Sequence, residues 1–272
     1  MRQDFIKMAT VGHLYYGMAM CDFSSSLWLS NSNLDKKTMY MLHDQIMYWQ
    51  NHVLQCTENF SIGDECDLKI FATVYTDAAV ASTNKAINCI DFSKLLGIKQ
   101  NLETPKKFVG KIHTVYHNFV DINIKAKEVA VQLHTIVDEI IESHLVDGYC
   151  SLMPNILNYI RSTIHNYTNF IDKLNTKSPN FYISHHNLDI QSSYLYGTLV
   201  AMGASSLHMV DSQILLNPKS DTNVYITQLC KILSNLLHGM DCTRHSIPPM
   251  MLDHCLRCAY ATMHNSQFTM HN

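Results

Sequence analysis

The sequence predicts an all-α fold, a compact multi-helix bundle of about eight helices. Glycine and proline are scarce, with 9 and 6 residues in 272, and the chain shows no strand–turn–strand rhythm. Long stretches instead place apolar residues three and four positions apart, which is the spacing of one helix face. The predicted helices span residues 4–30, 35–57, 66–90, 105–147, 152–175, 187–215, 221–240 and 248–264.

Local signals mark where several of these helices begin. Ser151 ahead of Pro154 combines a capping residue with a proline in the first turn. Asp221 and Thr222 can cap the helix that follows them. The longest predicted helix would span about 60 Å at about 1.5 Å per residue, and we expect a break in it near Asp121–Asn123.

The domain organisation predicted from the sequence is a single all-α domain over residues 1–272. A chain of this length can bury a sizeable core. The best candidate for a weak boundary is the polar stretch near residues 175–180, which reads NTKSPN.

The charge content is low and bears on the kind of partner. Charged residues make up 16% of the chain, below the usual quarter. A surface covered mainly by uncharged polar residues favours a homo-oligomer or a larger protein assembly. The net charge of −3 gives no electrostatic basis for binding nucleic acid or an anionic membrane. No apolar run is long enough to predict a membrane-spanning helix.

The cysteines and the first residues predict an intracellular protein. The chain has 9 cysteines, an odd number, and its first residues lack the basic, apolar and small-residue pattern of a signal peptide. Reduced thiols and a cytoplasmic or nuclear location are therefore expected.

Histidines spaced along the first two predicted helices suggest a metal site. His13 lies on the first helix, and His43, Asp44 and His52 lie on the second. Neutral imidazoles and a carboxylate suit Mn, Fe, Zn or Ni, and a water bound to such an ion becomes a usable nucleophile near neutral pH. The alternative is that each histidine is a polar member of a packed helix face.

The same residues resemble a known family. His13, the His43–Asp44 pair and the distant Asp138 are similar to the metal-binding pattern of HD-domain phosphohydrolases, and especially of deoxynucleoside-triphosphate triphosphohydrolases. The segments LDKKTMYMLHDQI and AVQLHTIVDEIIESHLVDG carry the likeness. The resemblance implies an all-helical enzyme that hydrolyses a nucleotide phosphoester with one divalent metal. His13, His43, Asp44 and Asp138 would hold that metal, and His52 would be catalytic, assisting proton transfer or phosphate binding.

The chain also departs from that family pattern. Gln45, Ile46 and Met47 replace the glycine and second histidine that normally follow His-Asp, and Gln55 stands where a catalytic glutamate is expected. These departures support a second hypothesis, in which the chain is a non-catalytic helical subunit of a larger assembly. A degenerate relative of the enzymes is a third possibility.

A second candidate metal site lies near the end of the chain. Cys242, His245, Cys255 and Cys258 form a C-x2-H…C-x2-C pattern with nine residues between the pairs. This spacing fits a tetrahedral zinc site. The alternative is that Cys255 and Cys258 are small buried residues on one helix face.

Overall fold

Every described segment of the chain is helical. The computed structural model describes residues 2–30, 34–58, 73–89, 119–147, 154–176, 222–239 and 249–263. Within these ranges the chain has seven helices and no strand, which confirms the all-α class; the predicted helix 187–215 lies outside them. The helices are α1 (Arg2–Ser30), α2 (Lys36–Glu58), α3 (Thr76–Cys89), α4 (Phe119–Asp147), α5 (Pro154–Asn175), α6 (Thr222–Gly239) and α7 (Pro249–Met263).

One detail of the sequence prediction is wrong. Residues 73–75, inside the helix predicted over 66–90, are not helical, and α3 begins at Thr76. The backbone N–H of Thr73 donates to Oγ1 of Thr76 at 2.8 Å and closes a capping turn there. Of the predicted helix 105–147, residues 105–118 lie outside the described residues. The described part, α4, begins at Phe119, close to the break expected near Asp121–Asn123, and runs through these three residues. The Asn123 side chain points into the core, where it bonds to other side chains and leaves the helix backbone intact.

A side-chain cap begins α2 where the sequence predicted. Oδ1 of Asp35 accepts the backbone N–H of Thr38 at 2.7 Å, which satisfies one of the unpaired donors of the first turn. This hydrogen bond is the largest cause that lowers the pKa of Asp35.

Helix α1 is the centre of the fold. Its side chains from Ala9 onward are almost all buried, and it packs against α2, α3, α5 and α7. Serine hydroxyls in its last turns bond to the carbonyl four residues earlier, as in Ser24 to Met20 at 2.8 Å and Ser30 to Ser26 at 2.6 Å. These bonds satisfy the hydroxyls within the helix, so the polar stretch can be buried.

Two apolar clusters hold the described helices together. The larger joins α1, α2, α4 and α5, with buried residues that include Trp49, Leu133 and Ile160. The smaller joins α6 and α7 through residues such as Leu229 and Leu256. Helix α7 also contacts α1 and α3, so it links the two clusters. None of the helices in the described segments combines the length and apolar character needed to cross a membrane.

Candidate functional site

His13 lies in the core with both ring nitrogens bonded to other helices. Nε2 lies 2.8 Å from Oδ1 of Asn123, and Nδ1 lies 2.8 Å from the hydroxyl of Tyr167. Nδ2 of Asn123 donates to Oδ1 of Asn175 at 2.8 Å, so Oδ1 of Asn123 must accept from His13. His13 is therefore the Nε2–H tautomer, and Tyr167 donates to its Nδ1.

His52 joins the same network. Its ring centroid lies 5.3 Å from that of His13, and its Nε2 lies 3.3 Å from the Tyr167 oxygen. Because Tyr167 gives its hydrogen to His13, Nε2–H of His52 donates to the Tyr167 oxygen. We call His52, Tyr167, His13, Asn123 and Asn175 the His13 network; it joins α1, α2, α4 and α5.

Both histidines of the network are held neutral. Burial lowers the pKa of His13 to about 4, although the hydrogen bond to Asn123 acts in the opposite direction. Burial also lowers the pKa of His52 well below its ordinary value of 6.5, and the nearby His13 lowers it further. A neutral imidazole has one donor and one acceptor, which is what the network requires.

Asp44 lies on the outer side of α2, whereas His43 is partly buried, with its ring centroid 6.5 Å from that of Trp28. The Asp44 side chain is 82% exposed and that of His43 is 23% exposed, with Nδ1 and Oδ1 3.4 Å apart. The next residue, Gln45, points inward instead and donates to the carbonyl of Val129 at 3.1 Å. Gln45 also accepts from Nε1 of Trp49 at 2.8 Å, so it helps to hold α2 against α4.

Asp138 joins α4 to α5 at the edge of the fold. Its Oδ1 lies 3.0 Å from Nε of Arg161, and its Oδ2 lies 3.1 Å from Nδ1 of His134. The side chain is 37% exposed. The side-chain partners of Asp138 are therefore Arg161 and His134.

The structure thus brings two of the predicted site residues together and places the others elsewhere. His13 and His52 meet in the core, whereas His43, Asp44 and Asp138 contact other residues. Over the described ranges, no three His, Cys, Asp or Glu side chains are grouped so that they could hold a metal ion. As placed, the predicted ligands do not fit a shared ion, and metal binding stays a prediction.

The C-terminal zinc prediction concerns residues that are only partly described. Cys242 and His245 lie outside the described residues, whereas Cys255 and Cys258 lie buried on α7. Burial raises the pKa of the Cys255 thiol well above its ordinary value. Sγ of Cys258 lies 3.4 Å from Nε2 of His254.

A buried charged cluster on α1 and α7 was not identified in the sequence. Arg257 donates from Nε to Oδ2 of Asp253 at 3.0 Å and from Nη2 to Oδ2 of Asp22 at 2.5 Å. His254 approaches the same Asp22 oxygen at 3.2 Å through Nδ1. We call Asp22, Asp253, His254 and Arg257 the Arg257 cluster; each is at most 3% exposed. The pairing of Asp253 with Arg257 four residues on was a signal available in the sequence.

The cluster is fixed from several sides. The hydroxyls of Thr73 and Thr76 donate to the two oxygens of Asp253 at 2.6 and 2.9 Å. The pKa of His254 is lowered by burial, but the sulfur of Cys258 and the hydrogen-bonded Asp22 outweigh burial and raise it to about 9. His254 is therefore a cation at neutral pH.

A thiol, that of Cys258, lies next to His254 of the cluster, and His254 in turn contacts the carboxylate of Asp22. Cys258, His254 and Asp22 have the order of a nucleophile, a base and an orienting acid. The Cys258 thiol is 0% exposed, and the Tyr15 hydroxyl lies 3.6 Å from its sulfur. Because buried thiols without solvent access are inert, this contact joins α7 to α1 and does not present a nucleophile.

Comparison with known proteins returned no match to a family model, to a curated protein or to a solved structure. The resemblance to HD-domain phosphohydrolases therefore stays a prediction from the sequence.

Proposed function

We propose that this chain is a non-catalytic helical subunit that assembles with other copies of itself. The observation that carries the proposal is the set of hydrogen bonds and ion pairs that the expected metal ligands make with other residues. His13 has both ring nitrogens bonded inside the core, and Asp138 is paired with Arg161 and His134. Both ring nitrogens of His13 are therefore engaged within the core, and the carboxylate of Asp138 joins α4 to α5.

Exposed apolar side chains support the assembly part of the proposal. Tyr40 and Met47 are seven residues apart on α2 and are 48% and 38% exposed; Ile124 and Val131 have the same spacing on α4 and are 61% and 50% exposed. Helices α2 and α4 pack against each other. A second copy is the partner we favour, because a net charge of −3 with only 16% charged residues opposes self-association weakly.

Metal analysis tests the non-catalytic part. Protein purified without chelators should contain much less than one equivalent of transition metal by mass spectrometry. His43→Ala and Asp138→Ala should match the wild type and the control His165→Ala, whose residue is exposed on α5. About one equivalent of metal, lost in both His43→Ala and Asp138→Ala but kept in the control, would overturn the proposal.

Light scattering tests the assembly part. The expected mass is at least twice the 31.1 kDa of one chain. Ile124→Lys should shift the mass toward that of one chain, whereas Val74→Lys, at a site 91% exposed before α3, should leave it unchanged. A wild-type mass of one chain across micromolar concentrations would contradict assembly.

A divergent HD-type phosphohydrolase is the second candidate, favoured by the approach of His13 to His52. Phosphate release from deoxynucleoside triphosphates, with Mn²⁺ added, tests it. Activity that is lost in both Asp138→Ala and His52→Ala, with folding retained, would favour the enzyme over the subunit.

A further inference from the structure

Two ion pairs fix the register of α4 against α5. Nζ of Lys127 on α4 lies 2.5 Å from Oδ1 of Asp172 on α5, and Oδ1 of Asp138 on α4 lies 3.0 Å from Nε of Arg161 on α5. From one pair to the other, the residue number rises by eleven on α4 and falls by eleven on α5. The two helices are therefore antiparallel and stay in step between the pairs.

His134 and His165 occupy facing positions between these ion pairs. His134 lies seven residues after Lys127, and His165 lies seven residues before Asp172. Seven residues are close to two helical turns, so each histidine is on the same face of its helix as that charged residue. His134 is 30% exposed and His165 is exposed. The contact between α4 and α5 therefore brings two accessible imidazoles from different helices to the same level.

Asp138 holds His134 in a tautomer that suits metal binding. Nδ1 of His134 lies 3.1 Å from Oδ2 of Asp138. In the neutral ring, Nδ1–H donates to this oxygen, and the lone pair remains on Nε2. Metal-binding histidines usually have such a carboxylate partner, because it fixes the ring and makes it more basic. The other oxygen of Asp138 contacts Arg161, so we place this carboxylate outside the coordination sphere.

We propose that Nε2 of His134 and a ring nitrogen of His165 bind one divalent transition-metal ion between α4 and α5, with Asp138 positioning His134. Imidazole nitrogens suit Ni²⁺, Cu²⁺ and Zn²⁺, whereas Mg²⁺ and Ca²⁺ take oxygen ligands. Within the described segments, no three His, Cys, Asp or Glu side chains are arranged for one ion, so water fills the remaining positions. An ion held by two side chains exchanges readily, and the metal must therefore be added to the purified protein. The proposal does not depend on the function proposed above.

Isothermal titration calorimetry of the full chain with Ni²⁺ alone tests the proposal. Thiolates favour Zn and Cu(I), so Ni²⁺ is the probe for which the cysteines compete least. The wild type should bind one ion per chain saturably, and excess Mg²⁺ should not displace it. His134→Ala and His165→Ala should each lower the affinity at least tenfold. Asp138→Ala should lower it by roughly 10–100-fold, and Asp138→Asn, whose side-chain oxygen can still accept from Nδ1–H, should recover part of that loss.

His43→Ala is the matched control. His43 also contacts a carboxylate, with Nδ1 3.4 Å from Oδ1 of Asp44, and its side chain is 23% exposed, but it lies on α2. The control should bind Ni²⁺ like the wild type, and circular dichroism checks the folding of every variant. Unchanged affinity in either His134→Ala or His165→Ala, or an equal loss in His43→Ala, would overturn the proposal.

Urea denaturation tests whether the ion joins the two helices. A ligand that binds the folded chain stabilises it, so saturating Ni²⁺ should raise the urea midpoint of the wild type and of His43→Ala. The midpoint of His165→Ala should not rise, because the ion then has a ligand on α4 only. An equal rise in His165→Ala, or no rise in the wild type, would also overturn the proposal.

Discussion

The hydroxyl of Tyr167 on α5 donates to Nδ1 of His13 on α1 at 2.8 Å, and the two residues are 154 positions apart in the chain. Both side chains have 0% exposed surface. This bond satisfies the Nδ1 acceptor that remains once Nε2–H of His13 donates to Asn123. It also sets the direction in which His52 can donate, so the energetics of the His13 network depend on it.

Tyr167→Phe should lower the free energy of unfolding by roughly 1–3 kcal/mol, because it leaves Nδ1 of His13 and Nε2 of His52 buried without that partner. Urea denaturation measures the loss. Tyr40→Phe removes the same hydroxyl at a site 48% exposed and should cost less than about 0.5 kcal/mol. Equal losses in the two variants would show that the buried hydroxyl contributes nothing.

Stability should fall as the pH drops from about 6.5 toward 4. The pKa of His13 is lowered to about 4 in the folded chain, whereas an unfolded histidine titrates near 6.5. The unfolded state therefore binds the extra proton first, and the stabilisation present above pH 6.5 is lost below it. The difference between these two pKa values of His13 corresponds to a loss of roughly 3 kcal/mol in the free energy of unfolding. Urea denaturation midpoints between pH 7 and 4.5 measure this loss of stability. If the midpoint of His13→Gln depends less on pH than that of the wild type, the loss is assigned to His13.

A second loss should occur on the alkaline side. The pKa of His254 is raised to about 9 in the folded chain, so its contribution is complete below pH 6.5 and disappears as the pH rises through 9. The expected change is again roughly 3 kcal/mol. His254→Gln should lose this dependence between pH 6.5 and 9.5 while keeping the acid-side dependence of His13. A wild-type profile that is flat in this range would contradict the assignment.

Two arginines that each bind aspartate should differ in their effect on stability. Arg257→Met leaves Asp22 and Asp253 buried without their cation, and should cost about 3–5 kcal/mol. Arg161→Met removes a partner of Asp138 where both side chains are partly exposed, at 49% and 37%, and should cost about 1 kcal/mol or less. Adding 1 M salt should remove most of the Arg161 effect and little of the Arg257 effect. Similar costs for the two variants would refute the buried-pair account.

The helices could be predicted from local patterns because each depends on residues close together in the chain. The prediction of 35–57 for the second helix agrees with the observed Lys36–Glu58, since apolar spacing and the Asp35 cap are both local. Val129, Leu133 and Ile136 have the spacing of one helix face, and all three are buried in α4. The start of α3 was missed because a turn closed by two threonine side chains carries no apolar pattern.

The site could be predicted only in part because its contacts are long-range. The approach of His13 to His52 follows from packing α1 against α2. The partners of His13 are 110 and 154 residues away, and nothing local indicates that Asn123 and Tyr167 occupy its nitrogens. The Arg257 cluster depends in the same way on Asp22, which is 235 residues from Arg257.

The hydrogen bonds of the His13 network all run in the same direction. Each residue donates to the next, from His52 through Tyr167, His13 and Asn123 to Asn175. If α1 shifted by one turn, its apolar side chains would still pack against apolar neighbours. In this network, however, a hydrogen-bond donor would then face another donor. The network therefore distinguishes the native alignment of the four helices from shifted alignments that an apolar core alone would tolerate.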